Sequence, residues 1–91
     1  MKNIKIEDNY YEIIENYKEG YNEDEFIKKC TDYFYEYDYI VGDWAYGKLR
    51  LKGFFDKSNK KCREINDFSN LDKYLSENCA FGCSYFVAKR K

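Results

Sequence analysis

The stretch WAYGKLRLKGFF, residues 44–55, changes character at almost every step. Its even positions are Trp44, Tyr46, Lys48, Arg50, Lys52 and Phe54; its odd positions are Ala45, Gly47, Leu49, Leu51, Gly53 and Phe55. A helix would wind both sets around its axis, whereas a strand sends successive side chains to opposite faces. The alternation predicts a strand from Trp44 to Phe55 with one apolar face and one basic-aromatic face. Ahead of it, Tyr39, Ile40 and Val41 form a β-prone run, and Gly42-Asp43 reads as the joint between the two.

The rest of the chain supplies partners for that strand. Ile4 and Ile6 share a phase, as do Tyr11 and Ile13, and Asp8-Asn9 tolerates the left-handed backbone of a hairpin turn. Asn22 followed by Glu25 has the spacing of a helix N-cap with an acid reaching back, and Glu23, Asp24 and Glu25 suit the positive end of a helix. Phe26, Ile27, Cys30, Tyr33, Phe34 and Tyr37 recur at steps of three and four, which predicts a helix over 23–37 with these side chains in the core. Ser69-Asn70-Leu71-Asp72 begins a second, short helix through Leu75, and Tyr85, Phe86 and Val87 make a last strand. The order β-β-α-β-β-α-β, with no repeat or linker, predicts a single α+β domain over residues 1–91, a mixed or antiparallel sheet carrying two helices.

Composition then narrows the chemistry. The absence of histidine removes Ser-His-Asp and Cys-His catalysis within this chain, and the commonest metal ligand with them. Asp38 and Asp43 could pair as carboxylates beside Trp44, but so small a domain has little room for the cleft such a pair requires, and Asp43 reads as a turn residue. No enzymatic activity and no cofactor are expected. Cys79 and Cys83 are separated by three residues, unlike the two of a redox or zinc CxxC; they remain a weak thiol-redox or metal candidate, and zinc would also need Cys30 and Cys62 to converge. No apolar run is long enough to span a bilayer, the N-terminus lacks the apolar core of a signal peptide, and the mean hydropathy is −0.89. A cytoplasmic protein with no membrane partner is expected, its cysteines reduced.

Binding is the reading that remains. Residues 1–43 carry five lysines against twelve acids, a net −7, and residues 44–91 carry eleven basic residues against five acids, a net +6. This asymmetry marks either a basic binding face or two halves that attract each other. On the strand, Lys48, Arg50 and Lys52 would rise at about 6–7 Å per step, commensurate with phosphates of an extended single strand, with Trp44 and Tyr46 in line for base stacking. Lys60, Lys61 and Arg63 would form the rim. The expected ligand is RNA or single-stranded nucleic acid. The alternative is a protein-interaction adaptor, in which the same strand pairs with a partner or the acidic half docks a basic one. A third possibility is a salt-bridged wall, with cross-strand acids covering the basic face.

With YDYIVGDWAYGKLRLKGFF at 37–55 and CAFGCSYFVAKRK from Cys79, the chain resembles the YutD-like family of small Firmicutes proteins. The likeness extends from NYYEIIENYKEGYNEDEF to the last strand. It implies a compact α/β domain in the cytoplasm and supplies no catalytic residues. Ala45 stands where the family pattern has glycine, a small-for-small change, and Cys30 and Cys62 fall outside the motif.

Overall fold

A computed structural model describes residues 2–78 and 83–91. Five strands form one fully antiparallel sheet in the order β1-β2-β5-β3-β4. β1 (Lys2–Ile6) and β2 (Asn9–Tyr17) form the first hairpin. Its turn is Glu7-Asp8, one residue earlier than the sequence suggests, with Glu7 taking the left-handed conformation at φ 54°. Ile4, Ile6, Tyr11 and Ile13 are all buried, as their phase requires.

α1 (Glu23–Lys29) opens as expected, the Asn22 side chain accepting the Glu25 N–H at 3.1 Å. It does not run to residue 37. Cys30 leaves helical backbone at ψ 89°, and Asp32–Phe34 form a separate 3-10 turn. Thr31, Asp32 and the aromatics that follow are poor helix formers, and tertiary packing decides the path: the Tyr37 ring lies on Gly53 and 4.6 Å from the Phe55 ring. The apolar stripe is therefore only partly core. Phe26 and Cys30 are buried, while Ile27 and Tyr33 are exposed.

The long strand of the sequence reading is two strands. β3 (Tyr39–Ala45) and β4 (Lys48–Phe54) pair across a two-residue turn at Tyr46-Gly47. Both turn residues have positive φ, 53° and 74°, the geometry whose twist matches a right-handed hairpin. Gly47 adopts it without cost; Tyr46 does so against its Cβ. Gly42-Asp43 is not a joint but the middle of β3. There Gly42 faces Phe86 across the pair with β5, and a Cβ on it would fall 2.2 Å from the Phe86 ring. Gly42 and Gly53 are both places where a ring needs the space of a side chain, the close approach expected of strand glycines.

A loop leads through 3-10 turns at Glu64–Asn66 and Phe68–Asn70 into α2 (Leu71–Asn78). β5 (Tyr85–Arg90) then enters the centre of the sheet between β2 and β3. α1 covers one face with Phe26 on Phe86, and α2 covers part of the other, with Tyr74 and Leu75 over Val41, Phe54 and Val87. Gly42 in mid-strand and Tyr46 at the turn make opposite predictions for stability. Gly42→Ala lowers the urea midpoint by the equivalent of about 1–3 kcal/mol through overpacking. Tyr46→Asn raises it by up to about 1 kcal/mol by relieving the left-handed strain.

Candidate interaction surface

The register of the β3–β4 hairpin decides where each candidate residue points. A two-residue turn between antiparallel strands inverts parity: Trp44 lies opposite Leu49, and Asp43 opposite Arg50. Lys48, Arg50 and Lys52 therefore do share a face, the one that α2 partly covers, but Trp44 points to the α1 side. Half-buried there, it donates from its indole Nε1 to the Gly20 carbonyl at 2.7 Å. Tyr46 sits at the tip of the turn, fully exposed. The structure thus does not bring Trp44 and Tyr46 into line with the basic residues.

The basic residues are engaged to different degrees. Asp43, 1% exposed, accepts from Arg50 Nε at 2.8 Å on one carboxylate oxygen and from the Tyr74 hydroxyl at 3.2 Å on the other. This cross-strand acid is one of the residues the salt-bridged reading called for. Lys52 Nζ lies over the Phe54 and Tyr74 rings, 5.2 and 5.8 Å from their centroids, a cation–π arrangement. Lys48 projects into solvent near the turn. In the following loop, Lys61 pairs with Glu36 at 2.8 Å, and Arg63 Nη1 turns back to donate to the carbonyls of Lys60 and Cys62. Lys60 is exposed. This loop leaves the end of β4 opposite to Tyr46 and Lys48.

Asp38 and Asp43 do not converge on a cleft as a pair. Asp38 anchors the loop after β4, accepting from the Asp56 N–H at 2.8 Å and the Asn59 side-chain amide at 3.1 Å. Of the cysteines, Cys83 is disulfide-bonded, not the reduced thiol expected. Cys79 lies outside the described residues. Cys30 and Cys62 are free thiols. Burial pushes the Cys30 thiol up to about 11, and burial followed by the neighbouring Asp67 raises that of Cys62, so neither is an activated thiolate. Among the described residues no group of three or more carboxylate or thiol side chains could hold a metal ion.

The concave surface lies elsewhere. A cleft of about 480 Å³ opens between the end of β4, the Glu64–Asn66 turn and α2, with Tyr74 at its floor beside the buried Phe54, and rimmed by Lys52, Lys73, Glu64 and Glu77. A second, of about 280 Å³, is lined by Tyr33, Phe34, Tyr37, Leu51 and Gly53. Lys52 and Ile65 border both. Ile65 is 77% exposed and Tyr33 65%. The backbone holds Ile65 in that position: Asn66 accepts the Phe55 N–H on its carbonyl at 2.7 Å and the Arg63 N–H on its side chain at 2.7 Å, and the Phe68 N–H returns to the Phe55 carbonyl at 3.0 Å. The turn is thereby closed around Ile65 and stapled to the edge of the sheet just after it. Sequence reasoning passed over this residue; the available signal was a single isoleucine in the polar run KKCREIND.

A family profile described as "Putative antitoxin YutD-like" matches residues 5–89. The chain belongs to the YutD-like family. It is 51% identical over 87 residues to the Bacillus subtilis (strain 168) protein described as "Putative antitoxin YutD", an alignment covering 96% of each chain. The solution NMR structure of yutD from B. subtilis superposes with a TM-score of 0.84 at 48% identity, covering all of this chain and 83% of that one. The family and the α+β fold expected from the sequence are both met. Among the described residues no helix is long and apolar enough to cross a membrane.

Burial, then the nearby Asp43 carboxylate, push the Tyr74 hydroxyl up to about 12 from its ordinary 10.0. The folded chain therefore keeps this proton to higher pH than the unfolded chain. Its contribution to stability is complete below pH 10 and is lost as pH rises towards 12. Urea midpoints taken across that window fall less steeply for Tyr74→Phe than for the parent chain, by at most about 1.4 kcal/mol per pH unit for one proton.

Proposed function

We propose that this chain is a non-catalytic module that binds a protein partner, with its contact surface centred on Ile65. The observation that carries this reading is a large aliphatic side chain presented to solvent by a turn that is hydrogen-bonded to the sheet edge, and flanked by two clefts. An exposed apolar group fixed in place at a concave surface has the character of a contact site. The basic-aromatic stripe that would support single-stranded nucleic acid is divided between two faces. Its middle charge is bound to a buried carboxylate, and the Phe54 and Tyr74 rings on that face lie under the Lys52 ammonium. The B. subtilis relative is described as a "Putative antitoxin"; carried to this chain, that description supports action through a bound partner, in the cytoplasm, rather than through chemistry of its own.

Two binding measurements on the full chain test this reading. Binding to a mixed single-stranded RNA pool at low salt should be undetectable. A tagged chain should retain one specific protein from nuclease-treated extract of its own cells, and Ile65→Asp should weaken that capture at least about tenfold, or ~1.4 kcal/mol. Tight RNA binding that falls steeply with salt, with no protein retained after nuclease, overturns it.

A further inference from the structure

Resting on that protein-binding reading, we infer that the paired clefts take an extended segment of the partner in which a carboxylate lies between two bulky apolar side chains. Lys52 sets the position of the acid. It borders both clefts, its ammonium lies over the Phe54 and Tyr74 rings, and among the described residues it forms no ion pair with a carboxylate. Ring faces attract the cation but leave its remaining donors to water. An incoming carboxylate would meet a charge already positioned and partly dehydrated, the setting in which a charge-assisted hydrogen bond contributes most.

Ile65 sets the spacing of the apolar residues. It borders both clefts, so a partner side chain on one side packs on Tyr74, and one on the other packs on Tyr33 and Tyr37. Aromatic floors of this kind accept bulky aliphatic or aromatic groups and provide most of the burial, while the central ion pair fixes the register. Glu64 and Glu77 border only the first cleft, whereas Lys52 borders both, so a carboxylate seated at Lys52 lies at the junction of the two. The occupant is therefore an acidic, apolar stretch of protein.

Short random peptides displayed on phage and selected against the full chain test the inference. Enriched peptides should carry Asp or Glu flanked by Leu, Ile, Phe or Trp. Their affinity should fall at least about tenfold, ~1.4 kcal/mol, with Lys52→Glu and again with Ile65→Asp, and be largely kept by Lys52→Arg. Far-UV circular dichroism should show each variant folded, and amide shifts on peptide addition should cluster at Leu51, Gly53, Ile65 and Tyr33. Enrichment without acidic residues, binding indifferent to both damaging variants, or no enrichment at all overturns the inference. So does a concentration-dependent dimer abolished by Ile65→Asp, which assigns the clefts to a second copy of the chain. If the site fails while the cellular protein is still captured, the protein-binding reading stands without it; if neither peptide nor protein binds, both fall.

Discussion

The last strand turns two hairpins into one sheet. β2 and β3 are not paired with each other; each pairs with β5, which lies between them. Until residues 85–90 arrive, the hairpin of β1 and β2 and the hairpin of β3 and β4 are two-stranded ribbons, which are marginal on their own in water. β5 joins them by burying Phe86 towards α1 and Val87 towards α2, both without measurable exposure. Each such side chain contributes about 1.5–3 kcal/mol of burial. Gly42 belongs to the same constraint, because the Phe86 ring occupies the space where a side chain of β3 would otherwise stand.

The charge division of the sequence acquires a meaning in this topology. Three of the four ion pairs among the described residues, Asp43–Arg50, Glu36–Lys61 and Asp38–Arg90, join an acid from the first half of the chain to a base from the second. Glu12 of β2 likewise lies opposite Lys89 of β5. The exposed members of this set contribute little individually, but their arrangement favours the order in which acidic and basic segments alternate. Only Asp43 is buried, and its two oxygens are satisfied from β4 and α2, which ties the second helix to the hairpin.

Much of the fold was legible because it rests on periodicity and local chemistry. Ile4, Ile6, Tyr11 and Ile13 declare the first hairpin, Asn22 and Glu25 start α1, and Phe86 and Val87 mark a buried strand. The surface was less legible, for two reasons. The alternation from Trp44 to Phe55 continues unbroken across a turn that reverses the chain, and Tyr46-Gly47 lacks the usual asparagine-glycine signature. A reading by parity therefore placed Trp44 beside Lys48, when the inverted register places it on the other face. Ile65 escaped notice because its importance comes from Asn66 and Phe55, whose hydrogen bonds join segments that no local pattern connects. The helical stripe misled in the same way: Tyr33 fits the period, but packing of Tyr37 on Gly53 ends the helix first.

These observations make the surface a consequence of how the sheet is closed. β5 sets the position of β3, the hairpin register then sets the direction of Lys52, and the staple at Phe55 presents Ile65 beside it. Native-state hydrogen exchange, read residue by residue, tests the claim that β5 holds the halves together most directly. The amides of Phe86, Val87 and Ala88, and those of β2 and β3 bonded to them, should exchange only at the free energy of global unfolding measured by urea. If β5 exchanges at lower free energy while both hairpins remain protected, the two halves stand without it and the account is contradicted.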